Sequence, residues 1–330
     1  MEQAIKLEGL KPECLWATHM GAVKGCANYL ESPTTTAWLY GACGHAFVIN
    51  LHGELCPSGP TAWMSGKMLS LMRNIGLRID CFVAIRDGKS DFEAAQRKAL
   101  ESVGRALKLG IPCYGWELKI PEYYTIHGVD DVGYYYAGCL AEDGEGPKPW
   151  NELGATEISV LNVASVEPCD RARDIDTVRG AIEYALEFAS PDNPHKFPKY
   201  TSGWQAFELW AESLEKGDAV TFGNSYNAAV WAECRAFAVE FLREARARVA
   251  GVADAELDNA IEHYSKIGEL LGKVRDLHPF KGPQAEGALE KVTCAESAAL
   301  LREAAVAERE GLEALGTILT AMSVSEQAAG

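Results

Sequence analysis

The change of hydrophobic periodicity near residue 170 constrains the fold of this 330-residue chain more than any other feature. Before it, short apolar runs alternate with turn residues; after it, almost every segment repeats with the spacing of an amphipathic helix. In the first half, MGAVKGCANYLE (20–31) reads as a helix ended by Ser32-Pro33, and AWLYGACGHAFVINLH (37–52) as a short helix or turn running into a β-rich stretch. LRIDCFVAI (77–85) is a strand candidate. DFEAAQRKALESVGRALKLG (91–110) places Phe92, Ala95, Ala99, Val103 and Leu107 on one helical face and stops at Gly110 before Pro112. Strands follow at 111–118, 122–129, 133–138 and 157–166, the second and third joined by the hairpin signal Asp130-Asp131-Val132-Gly133. The second half predicts helices at 174–189, 202–216, 223–250, 254–275 and 288–321, a loop at 277–287 and a frayed tail after Met322. The fold class is therefore α+β followed by a helical domain, divided as 1–168 and 169–330.

Charge and cysteine usage narrow the function. A net charge of −16 speaks against a nucleic-acid or anionic-membrane partner, since both need clustered Lys and Arg. The ten cysteines are scattered and form no CxxC pair, so the spacing of a zinc ribbon or thioredoxin site is absent. MEQAIKLEGLKPE has no signal-peptide character and no run approaches a membrane span, so reduced cysteines in the cytoplasm are the expectation. P-loop, GxGxxG, GxSxG and HExxH patterns are all missing.

The order of elements is informative: a helix from about residue 20, a Gly-rich LYGACGHAFVIN (39–50), a long helix ending in Gly110-Ile111-Pro112-Cys113, then the strand from Glu122 to Asp130. With AVWAECRAFAVEFLREA (229–245), this order resembles the butirosin-biosynthesis protein H family and looks like the double-glycine-leader cysteine peptidases. The resemblance implies a papain-like cysteine peptidase/acyltransferase-type domain followed by the helical region. It also implies a Cys nucleophile at a helix N-terminus and a His base on a facing strand.

The matching positions do not carry those groups. Met20, within His19-Met20-Gly21, stands for the nucleophile, Glu122 for the His, Gly138 for the orienting carboxylate and Cys14 for the oxyanion donor. A thioether neither loses a proton nor forms an acyl intermediate. The expected reading is thus a papain-like protein without the Cys-His mechanism that binds a peptide, amine or acyl ligand in the old cleft. The alternative is an acyl or aminoacyl transferase, or an amide hydrolase, acting through relocated residues.

The expected cleft comprises His19, Met20, Gly21, Cys43, Gly44, His45, Trp116, Glu117, Glu122 and Tyr123. Candidates for relocated chemistry are Cys43, His45, Glu117 and Glu122. On a strand, Cys43 and His45 would share a face, suiting a nucleophile and base, two metal ligands or ordinary packing. Glu117 and Glu122 could pair as general acid and base or form a cation-binding wall. Cys26 lies about 240° round the helix from Met20 and reads as core. His52, Glu54 and Cys56 alternate in a Pro-rich stretch that reads as a loop. No cofactor is implied and no metal is assigned. The partners expected are a small molecule or peptide, with an acyl-carrier protein or a second copy of the chain as further candidates.

Overall fold

The computed structural model describes residues 4–217, 219–282 and 289–329. In chain order its elements begin β1 Ile5–Lys6, α1 Thr18–Tyr29, α2 Thr36–Ala42, β2 Asn50–His52, α3 Gly66–Leu71, β3 Leu77–Ile85 and α4 Phe92–Lys108. Next come β4 Cys113–Trp116, β5 Tyr123–Val129, β6 Gly133–Gly138, β7 Ala141–Pro149 and β8 Val160–Pro168. The remainder is α5 Asp174–Ala189, β9 Tyr200–Ser202, α6 Trp204–Lys216, α7 Thr221–Arg248, α8 Asp254–Leu277 and α9 Lys291–Ala329. The α+β class and the helical second half follow the sequence expectation. No helix among the described residues is long and apolar enough to cross a membrane.

The chain divides into two compact units, Met1–Thr34 with Ile75–Arg171, and Thr35–Asn74 with Ala172–Gly330. A single cut after residue 168 was expected. Residues 35–74, which that division gave to the first domain, instead pack with the helices of the second unit.

In the first unit an antiparallel sheet runs β3-β8-β4-β5-β6-β7, with β1 added to β5. The pairing register puts Cys81, Ala164, Tyr114 and Thr125 in one row, and Tyr123 lies two residues along from Thr125 on the same face. The α1 helix packs on this face, where His19 meets Tyr114 and Tyr123. The α4 helix covers the other face, where Lys98 lies over the Phe82 ring. Asp91 caps α4 by accepting from the Ala94 amide at 3.0 Å. Ala99, Val103 and Leu107 supply the buried stripe, and Gly110 ends the helix at φ 76°. Gly21 and Gly25 let the preceding strand of chain lie directly on α1, because a Cβ at either would strike the carbonyl of Glu13 or Lys11. The β7 strand was not anticipated. Its sequence AEDGEGPKP contains Gly144, Gly146 and Pro147, and it survives as an edge strand with register shifts against β6.

The second unit is helical, with β2 and β9 forming a small antiparallel pair. Its α2 packs on α7 with almost no gap, since a Cβ on Gly41 would overlap the Phe241 ring. At the centre Arg235 of α7 and Glu308 of α9 form an ion pair with both side chains 0% exposed. The guanidinium donates to both Glu308 oxygens at 3.0 and 2.7 Å, and to the Ala46 and Val48 carbonyls at 3.0 Å each. The α9 helix continues to Ala329, so the tail expected to fray after Met322 is helical. Residues 283–287 of the loop expected at 277–287 fall outside the described residues, as does 288, the expected first residue of the last helix.

Removing one member of a fully buried ion pair strands the other charge, at a typical cost of about 3–5 kcal/mol. Glu308→Ala should therefore destabilise the second unit by about that much in denaturant melts, and Arg235→Met with Glu308→Leu should recover most of the loss.

Candidate functional site

The α1 helix begins at Thr18 with Ala17 as N-cap, and no side chain of its own caps it. The Thr18 hydroxyl donates to Glu122 Oε2 and accepts from the Tyr123 amide at 3.1 Å. The start of β5 is thus tied to the start of α1. His19, one residue on, stacks on the Tyr123 ring at 3.9 Å between centroids and 9° between planes. Its Nε2 lies 3.1 Å from the Tyr114 hydroxyl. Met20 is wholly buried and belongs to the core, and Gly21 serves the close approach of residue 13 described above.

Trp116 pairs with Tyr123 across β4 and β5, with ring centroids 4.9 Å apart at 61°. On the other side of Trp116, Asn162 of β8 donates Nδ2 to the Tyr123 hydroxyl at 3.4 Å. The Asn162 carbonyl oxygen is buried with no hydrogen-bond partner, an arrangement that costs free energy unless a donor arrives. Cys81 is exposed, yet desolvation against the sheet pushes its thiol up to about 11.

Glu117 and Glu122 close the β4–β5 hairpin, the Glu117 amide donating to the Glu122 carbonyl at 2.8 Å. Their carboxylates take different partners. Glu117 sits at φ 61° and accepts from the Thr156 hydroxyl at 2.8 Å, its pKa raised chiefly by burial. Glu122 turns to Thr18. Of the two arrangements expected from sequence, this suits an acidic wall better than an acid/base pair.

The first unit therefore holds His19, Met20, Gly21, Trp116, Glu117, Glu122 and Tyr123, while Cys43, Gly44 and His45 belong to the second unit. The Cys43-Gly44-His45 stretch is not a strand. Cys43 caps the end of α2, Gly44 is left-handed at φ 78° and His45 opens a 3-10 turn. Two-residue alternation therefore does not apply. Instead His45 Nδ1 meets Cys234 Sγ at 3.5 Å in the core. Burial, aided by Arg235, lowers the His45 pKa to about 4, and burial pushes Cys43 up to about 12. Cys234 is raised well above its usual value, also chiefly by burial. This is a neutral thiol beside a neutral imidazole, the opposite of an activated pair. Among the described residues, no three His, Cys, Asp or Glu side chains group closely enough to hold a metal ion.

Thr18, Tyr114, Asn162 and Thr156 were missed from sequence. A usable signal existed for two of them. Tyr114 lies two residues before Trp116 and so shares its face, and Asn162 interrupts an apolar strand with one amide. Cys56 also gains a partner, the Ser58 hydroxyl at 3.0 Å, which in turn meets the Tyr200 hydroxyl at 2.7 Å.

His45 yields a pH prediction. Its folded pKa lies below its ordinary 6.5, so the stability it contributes is present above pH 6.5 and lost as pH falls toward 4. At about 1.4 kcal/mol per unit the loss is roughly 3 kcal/mol. His45→Gln should flatten that part of the stability–pH curve, measured by denaturant melts between pH 7 and 4. Alkylation offers a second check: iodoacetamide should label exposed Cys14 well before Cys43 or Cys234, and the reverse order would reveal an activated core thiol. No family model matches this chain, and no curated protein matches it either.

Proposed function

We propose that the first unit is a papain-like domain that no longer performs thiol chemistry and binds a primary amine at the former cleft. The observation carrying this reading is the aromatic platform of His19, Tyr114, Trp116 and Tyr123, flanked by the Glu117 and Glu122 carboxylates and by the unpartnered Asn162 carbonyl oxygen. Tyr114 is wholly buried beneath the others, and the remaining groups each serve an ammonium ion. Aromatic faces attract a cation by about 0.5–2 kcal/mol, carboxylates supply charge-assisted acceptors, and the Asn162 oxygen lacks only an N–H donor. The acidic chain favours such a ligand through its long-range field. Cys26, Cys43, Cys113 and Cys234 are buried, and their thiols, with those of exposed Cys81 and Cys139, are raised chiefly by desolvation, which speaks against a relocated thiolate at any of them.

A second reading, acyl or aminoacyl transfer through relocated residues, has one observation in its favour. The Thr18 hydroxyl at the helix N-terminus donates to Glu122, where the resemblance expects the imidazole. A carboxylate is a weak base for an alcohol of ordinary pKa, so binding remains the better account. Intact-mass spectra after incubation with an acyl thioester would reverse this order if Thr18 acquired the acyl group.

The binding reading is tested by chemical-shift titration with n-butylamine, protonated at pH 7.5, against n-butanol as a neutral counterpart. The ammonium should bind at least about tenfold more tightly, the worth of one charge-assisted contact. Glu122→Gln, Glu117→Gln and Trp116→Leu should each weaken it, by roughly three- to tenfold. Equal binding of amine and alcohol would sink the proposal.

A further inference from the structure

Beyond Asn162 the same face of the sheet carries a strip of apolar side chains that the amine reading leaves unused. Among the described residues the β3 strand is an edge of the sheet and pairs with β8 alone. Its odd-numbered residues Leu77, Ile79, Cys81, Val83 and Ile85 point to the face that α1 occupies, since Cys81 shares a row with Tyr114. Leu77 is buried, but Val83 is 55% and Ile85 58% exposed. The charged residues of β3, Arg78 and Asp80, are both exposed and fall on the alternate positions, leaving this stripe uncharged. Val160 lies opposite Ile85 on the same face.

Register makes the strip continuous with the platform. Tyr123 pairs with Trp116, Trp116 follows Gly115, which pairs with Val163, and the neighbouring Asn162 pairs with Val83. Tyr123, Trp116, Asn162 and Val83 therefore form one row across four strands, about 14 Å from end to end at the usual strand spacing. Polar, aromatic and aliphatic groups follow one another along it. A ligand whose ammonium sits among Glu117, Asn162 and the rings must send the rest of its length either into solvent or along Val83 and Ile85.

We propose that the ligand is an amphipathic amine: a primary ammonium joined to an unbranched apolar chain that lies over Val83, Ile85 and Val160. This inference rests on the amine reading and adds the chemistry of the ligand's other end. The occupant is an aliphatic chain rather than a second protein because the strip begins at a cation-attracting platform. The charged end fixes the register in which the chain leaves it.

The test is a homologous series from n-butylamine to n-decylamine, titrated below the micellar range against the full chain, with n-decanol as the neutral control. Each methylene placed on the strip should tighten binding by up to about fourfold, and decylamine should exceed decanol by at least tenfold. Val83→Ser with Ile85→Ser should flatten the dependence on chain length. Leu109→Ser, at an exposed position in the α4 C-cap, should leave that dependence as in the wild type. If butylamine binds but lengthening the chain gives no gain, the tail site is overturned while the amine reading stands. If no amine binds better than its alcohol, both fall. Sedimentation of the same variants supplies a further outcome: a dimer in the wild type that the double serine change dissociates would assign the strip to an interface between copies and overturn the tail site.

Discussion

The second unit depends on the Arg235 guanidinium more than on any other group. A charge with no solvent exposure is tolerated only when its donors are satisfied and its charge is matched. Arg235 meets both conditions by drawing on two places far apart in sequence: both Glu308 oxygens on α9 and the carbonyls of Ala46 and Val48 just after α2. That demand fixes the turn at 45–48 against α7 and so explains why residues 35–74 pack with helices that begin beyond residue 170. It also sets the chemistry of its neighbours. His45 lies beside a buried positive charge and stays neutral, which removes it as a partner for thiolate formation at Cys43 or Cys234.

The first unit is organised by a different constraint, the junction between α1 and β5. Helix starts leave amides that want acceptors, and here one side chain, Thr18, links the helix start to the strand through a bond given and a bond received. His19 is then held between two tyrosines by stacking and by a hydrogen bond. Side chains held this way have little freedom left to lose, which on the proposed amine reading leaves more of the contact energy to appear as affinity.

Local patterns were legible in the sequence wherever neighbours in sequence decide the outcome. The α4 stripe, the β5–β6 hairpin and the α7 helix all appeared because period and turn residues specify them. The failures share a cause. Nothing local distinguishes Cys43-Gly44-His45 on a strand from the helix cap and left-handed glycine found there; the burial of Arg235 decides it, 190 residues away. The β7 strand hid behind Gly144, Gly146 and Pro147, which read as turn residues but are accepted at a sheet edge where ladder bonds are few. Around α1 and β5, His19, Glu122 and Tyr123 came from the stretches that carry the resemblance, and Glu117 from its place beside Trp116. Asn162 and Thr18 escaped because each gains meaning only from a partner, Tyr123 or Glu122, placed by the fold.

The difference between a cleft that performs acyl transfer and one that only binds comes down to where proton affinity sits. Thiol catalysis needs an acid made stronger and a base near neutrality within reach of each other. In this chain desolvation moves thiols the wrong way, and the nearby carboxylates raise Cys81, Cys139 and Cys234 further, while the carboxylates at the β4–β5 hairpin are each held by a hydroxyl, Thr156 or Thr18. At Glu117 the Thr156 hydroxyl occupies only part of the carboxylate's acceptor capacity. Such groups stabilise a charge that is already present on a ligand; they do little for one that must develop during a reaction. On the proposed amine reading, Glu122 and Met20, standing where the resemblance expects His and Cys, suit a resident cation rather than a developing anion.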